Sequence, residues 1–65
     1  MKKYGIEVKT KYYVDYICDN PTVSPCYYQL VRTKDDLILY ANENLKYIKI
    51  YCWENHIQPE DITIL

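Results

Sequence analysis

From Tyr4 to Cys18 the chain alternates with a period of two. Tyr4, Ile6, Val8, Thr10, Tyr12, Val14, Tyr16 and Cys18 stand on one side, against Gly5, Glu7, Lys9, Lys11, Tyr13 and Asp15 on the other. Such alternation marks strands with one buried face. Drawn out straight, the stretch would run about 45–50 Å at ~3.3 Å per residue, longer than so small a domain can cover. A break is therefore expected near Lys9-Thr10-Lys11, making 4–18 two strands or one bent one.

The next stretch, "DNPTVSPC" at 19–26, reads as a loop, because two prolines and an Asp-Asn pair keep its backbone out of a central ladder. Residues 27–41 then predict a hairpin that turns at Lys34-Asp35-Asp36. The turn has no glycine, so a four- or five-residue loop is expected rather than a tight primed turn. From Asn42 the period changes: Leu45, Ile48, Cys52 and His56 recur at three- and four-residue spacing, with Tyr51 beside them. This predicts one helix over 42–56, with Asn42 as its N-cap and Asn55 or His56 in the left-handed conformation at its end. Pro59 blocks extension, and "DITIL" at 61–65 forms a short last strand.

Together these elements predict one α+β domain over residues 1–65: a small antiparallel sheet of three to five strands in the order β-β-β-α-β, covered on one face by a single helix. A chain of 65 residues buries only about 60% of the surface it exposes when unfolded, so its core is small and self-association is a live expectation. The longest apolar run, Leu37-Ile38-Leu39-Tyr40-Ala41, is far short of the roughly 20 residues of a membrane span. "MKKYGIEV" has lysines but no apolar segment behind them, so no leader is expected and the location is read as cytoplasmic. Three cysteines fit reduced thiols better than a disulfide framework. The lean towards Lys, Ile, Asn and Tyr, with single Arg, Ala and Gly residues, is the bias of AT-rich coding. It suggests a low-GC bacterium or one of its phages or plasmids.

Candidate chemistry is sparse. Cys18, Cys26, Cys52 and His56 have the residue types of a zinc site, but the seven residues between Cys18 and Cys26 exceed the gap of a usual knuckle, so no metal is expected. The lone His has no orienting partner for nucleophilic catalysis, and the pairs Asp35-Asp36 and Glu60-Asp61 lie in polar turns. One glycine excludes phosphate-loop and dinucleotide fingerprints. No enzymatic activity and no cofactor are expected.

The tyrosines stand out: nine of them and no Phe. Buried hydroxyls need partners, which places such rings at boundaries. The doublets Tyr12-Tyr13 and Tyr27-Tyr28 send one ring each away from the helix-covered face. On the helix, Tyr47, Ile50 and Trp53 fall outside the core stripe, among Lys46, Lys49 and Glu54. Tyr and Trp dominate interface hot spots. The expectation is a non-catalytic interaction module that binds another protein, or itself as a homodimer, through Tyr47, Ile50, Trp53 and Tyr13. A phage- or plasmid-encoded inhibitor or accessory protein fits that profile. The alternatives are a homo-oligomeric structural protein and a single-stranded nucleic-acid binder using Lys9, Lys11, Tyr13, Tyr27 and Tyr28, since bases stack on tyrosine and phosphates pair with lysine. A net charge of −1 argues against the nucleic-acid reading.

Overall fold

The computed structural model describes residues 2–19, 22–23 and 25–65; Asn20, Pro21 and Ser24 of the expected loop lie outside them, as does Met1. The described elements are β1 (Lys2–Lys3), β2 (Ile6–Glu7), β3 (Tyr12–Ile17), β4 (Tyr27–Arg32), β5 (Leu37–Asn42), the helix α1 (Leu45–Glu54), a 3-10 turn (Pro59–Asp61) and β6 (Ile62–Ile64). The α+β architecture and the single helix are as expected, with more strands before the helix.

The extra strands come from the opening ribbon. It breaks near Thr10 as expected, but it also folds back at Tyr4-Gly5, where φ is 51° and 79°. Two consecutive residues with positive φ make a primed hairpin turn, which pairs Lys3 with Ile6. Gly5 adopts that conformation without strain. The ribbon is thus a small hairpin, β1–β2, followed by β3.

The main sheet has the order β5-β4-β3-β6. Neighbours are antiparallel except for β3 and β6, which run parallel with Tyr12 opposite Ile62 and Val14 opposite Ile64. That exception follows from connectivity: after β5 the chain crosses the whole sheet through α1 and starts β6 at the far edge, and parallel pairing needs such a crossover. A bulge beside Leu30 and Val31 puts an extra residue into β5, which lets Leu39 and Tyr40 both pack on the helix side.

Each sheet face carries its own core. Val14, Leu30, Ile48 and Cys52 are buried between sheet and helix, ringed by Tyr12, Tyr28, Leu45, Tyr51 and others. On the opposite face Val8, Tyr13 and Val31 form a second buried cluster, with Leu65 against it. The odd positions of the ribbon were expected to face water. Tyr13 and Asp15 are instead 1% and 3% exposed, because the N-terminal segment folds over them.

The helix runs Leu45–Glu54 rather than 42–56, with a different N-cap, while the left-handed residue that closes it is one of the two expected. Asn44, not Asn42, is the N-cap: its side-chain oxygen accepts the Lys46 N–H at 3.0 Å. Asn42 ends β5 and accepts the Asn44 N–H at 2.8 Å, which turns the chain into the helix. At the other end His56 takes the left-handed conformation (φ 59°). The His56 N–H donates to the Trp53 carbonyl at 3.3 Å and the Ile57 N–H to the Cys52 carbonyl at 2.8 Å. That pair of bonds is the Schellman closure.

Cys18 and Cys26 are joined as a disulfide, with Cα atoms 4.4 Å apart. Reduced thiols were the expectation for all three cysteines. The correction has a simple cause: Ile17 and Tyr27 form the last rung of the β3–β4 ladder, and the next residue on each strand is a cysteine already within bonding reach. Cys52 alone is free, and it is buried.

Ile48 is 1% exposed at the centre of the helix-side core. Ile48→Ala is expected to lower unfolding stability by about 3 kcal/mol in urea denaturation, within the range for large-to-small core substitutions. A loss below about 1 kcal/mol would mean that α1 does not pack there.

Candidate functional site

The polar atoms nearest to a site lie under the N-terminal hairpin. The Lys3 Nζ is 3.1 Å from the Asp15 carboxylate and donates to the Tyr13 hydroxyl at 3.3 Å. Tyr13 in turn donates to Asp36 at 2.9 Å. One chain of contacts therefore ties the hairpin, the central strand and the β4–β5 turn together. Burial pulls the Lys3 ammonium down, but its hydrogen bonds to Asp15 and Tyr13 and the negative charge of Asp15 outweigh that, and its pKa lies above the ordinary value. Burial, with the bond to Asp36, pushes the Tyr13 hydroxyl up as well. These groups satisfy one another, so the arrangement secures the fold and offers no free nucleophile or base. Burial also raises the Cys52 thiol, which keeps it protonated and unreactive. At the β4–β5 turn, Arg32 donates to Asp35 through both Nε and Nη2 (3.0 and 2.6 Å), and that bidentate bond holds the Asp35 carboxyl at about 2.

The second candidate is apolar. Tyr47, Ile50 and Trp53 are all exposed on α1, Trp53 by 80%. They do not form one compact patch, however. At ~100° per residue Tyr47 and Trp53 stand about 120° apart around the helix. Ile50 and Trp53 line one depression with Lys46 and Lys49. Tyr47 lines another, on the far flank, with Pro25, Tyr27 and Ala41.

Trp53 also walls a larger crevice of about 960 Å3, floored by Val14, Ile62 and Ile64 and bounded by Ile48, Cys52 and Ile57. Its origin is the placement of the helix. α1 packs mainly over β4 and β5, covers Val14 of β3 through Ile48 and Cys52, and leaves the outer end of β6 open. Ile64 is 55% exposed as a result. Sequence reasoning missed this site. Its signal was the alternation that puts Ile62 and Ile64 on one face of the last strand.

The other candidate sets are not assembled. Tyr13 is buried in the second core, so it joins neither the partner-binding nor the nucleic-acid set at the surface. Lys9 and Lys11 precede β3, while Tyr27 and Tyr28 pair with its opposite end, about 20 Å away at ~3.3 Å per residue. Of the four metal-ligand residue types, Cys18 and Cys26 are bonded to each other, Cys52 lies in the core and His56 is exposed at the helix end. Among the described residues no cluster of three or more His, Cys, Asp or Glu side chains occurs, and no helix is long and apolar enough to cross a membrane. No family model matches the chain, and no match was found among curated proteins or solved structures.

The pH response tests the polar chain. Lys3 and Tyr13 both have pKa values raised from the ordinary 10.5 and 10.0. The folded state therefore holds protons that the unfolded state releases, and stability falls as pH rises through those values. The urea midpoint is expected to be flat near neutrality and to drop above about pH 10, with a smaller drop in Tyr13→Phe. Lys3→Met, which strands Asp15, is expected to lower stability at neutral pH by about 2 kcal/mol, less than a fully buried pair because Lys3 is partly exposed. An unchanged midpoint in Lys3→Met would show that the hairpin is not held this way.

Proposed function

We propose that this chain is a small non-catalytic module that binds another protein through the apolar surface around Trp53. The observation that carries the reading is Trp53 itself, 80% exposed and beside exposed Ile50 and Ile64. Other large apolar side chains are exposed as well, but Trp53 is the largest and the most exposed of them. Trp is among the residues most enriched at interface hot spots, and an exposed apolar stretch next to a crevice is the usual form of an interaction site. Ile50 and Trp53 are the contact residues, with Lys46 and Lys49 at their rim. Tyr47 contributes only to a partner that reaches round to the far flank of α1. Small size and AT-rich coding fit an accessory or inhibitory protein of a phage or plasmid acting on a host protein.

Trp53→Glu tests the reading. Its side chain lies outside both cores, so circular dichroism and the thermal midpoint are expected to stay close to wild type. In pull-downs from nuclease-treated lysate of a low-GC bacterium, a protein held by the wild type should be missing with the variant. Purified, it should bind the variant at least about tenfold more weakly. Equal retention by both proteins contradicts the reading, and so does a Trp53→Glu protein that fails to fold.

A further inference from the structure

The crevice beside Trp53 lacks its second wall. On one side stands α1; on the other the sheet ends at β6, an edge strand. The Leu65 N–H donates to the Val14 carbonyl at 3.0 Å, and Ile64 lies opposite Val14. In a parallel ladder this alternation turns the backbone of Thr63 and Leu65 towards β3 and the N–H and C=O of Ile64 towards the outer edge. Ile64 thus presents an apolar side chain to the crevice and unpaired backbone groups to the side of it. An occupant that meets both demands is extended, so that its backbone continues the sheet, and apolar at alternate positions, so that every second side chain enters the crevice. Charge adds a third demand. Lys46 and Lys49 stand beside Trp53 and have no ion-pair partner among the described residues, while Glu54 lines the crevice nearer the C-terminal end of α1. An occupant with an acidic residue towards Lys49, rather than towards Glu54, complements this pattern.

We propose that the crevice binds an extended segment of a partner protein, apolar at alternate positions and acidic at the end nearest Lys49, which pairs with β6 as a fifth strand of the main sheet. The proposal rests on the interaction reading above and specifies the chemistry and geometry of the partner.

The test uses the intact protein and a phage-displayed library of random peptides. Enriched sequences are made as free peptides and titrated by the fluorescence of Trp53, the single tryptophan of the chain. The expected result is a consensus of alternating apolar residues with a flanking Asp or Glu. Affinity should fall by about tenfold or more for Ile64→Glu, for Lys49→Glu and for a peptide N-methylated where it pairs with Ile64. Lys49→Glu alters an exposed charge and serves if Ile64→Glu fails to fold. Binding that is lost in Trp53→Glu but survives every single N-methylation overturns the strand pairing and leaves the interaction reading in place. A selection without consensus, or a dilution series showing that a second copy of the chain occupies the crevice, overturns the proposal.

Discussion

Strand β3 has to be covered on both faces, and the chain has only one helix among its described residues with which to do it. Val14 points to α1, while Tyr13 and Asp15 point the other way and are as deeply buried. Burying a carboxylate without a partner is prohibitive in a low-dielectric interior. The second cover therefore has to bring a cation, and the β1–β2 hairpin brings Lys3. Its fold-back at Tyr4-Gly5, the seat of Val8 against Tyr13 and Val31, and the tie from Tyr13 to Asp36 all follow from that requirement.

The same economy of length leaves the other face incomplete. Ten residues of helix, about 15 Å at ~1.5 Å per residue, must both carry the chain from one edge of the sheet to the other and cover the helix-side core. α1 settles over β4 and β5, where Ile48, Cys52 and the stacked rings of Tyr40 and Tyr51, 4.8 Å apart, hold it. What it does not reach becomes the crevice beside β6. The crevice is the part of the sheet left over when one short helix serves two purposes, with Trp53 at its border.

Much of this was legible in the chain. Period-two and period-3.6 patterns placed the strands and the helix, Asn-rich and proline-rich stretches placed their ends, and the exposure of Tyr47, Ile50 and Trp53 followed from helical geometry. What was hidden depended on tertiary partners. Tyr13 and Asp15 read as a solvated strand face because nothing local shows that Lys3, ten residues or more before them, returns to meet them. The disulfide between Cys18 and Cys26 depends on the register of β3 against β4, which alternation alone does not fix. The openness of Ile64 was hidden too, because only the lateral position of the helix leaves it uncovered.

The most direct test of the account is a solvent paramagnetic relaxation measurement on methyl-labelled protein at low concentration, with a soluble gadolinium chelate as the probe. The account predicts strong relaxation at the Ile64 methyls and the Trp53 indole. Ile48 beneath α1 and Val8 beneath the hairpin, each 1% exposed, should be shielded. Shielding of Ile64 to the level of Ile48 would contradict an open crevice, and strong relaxation at Val8 would contradict the second cover of the sheet.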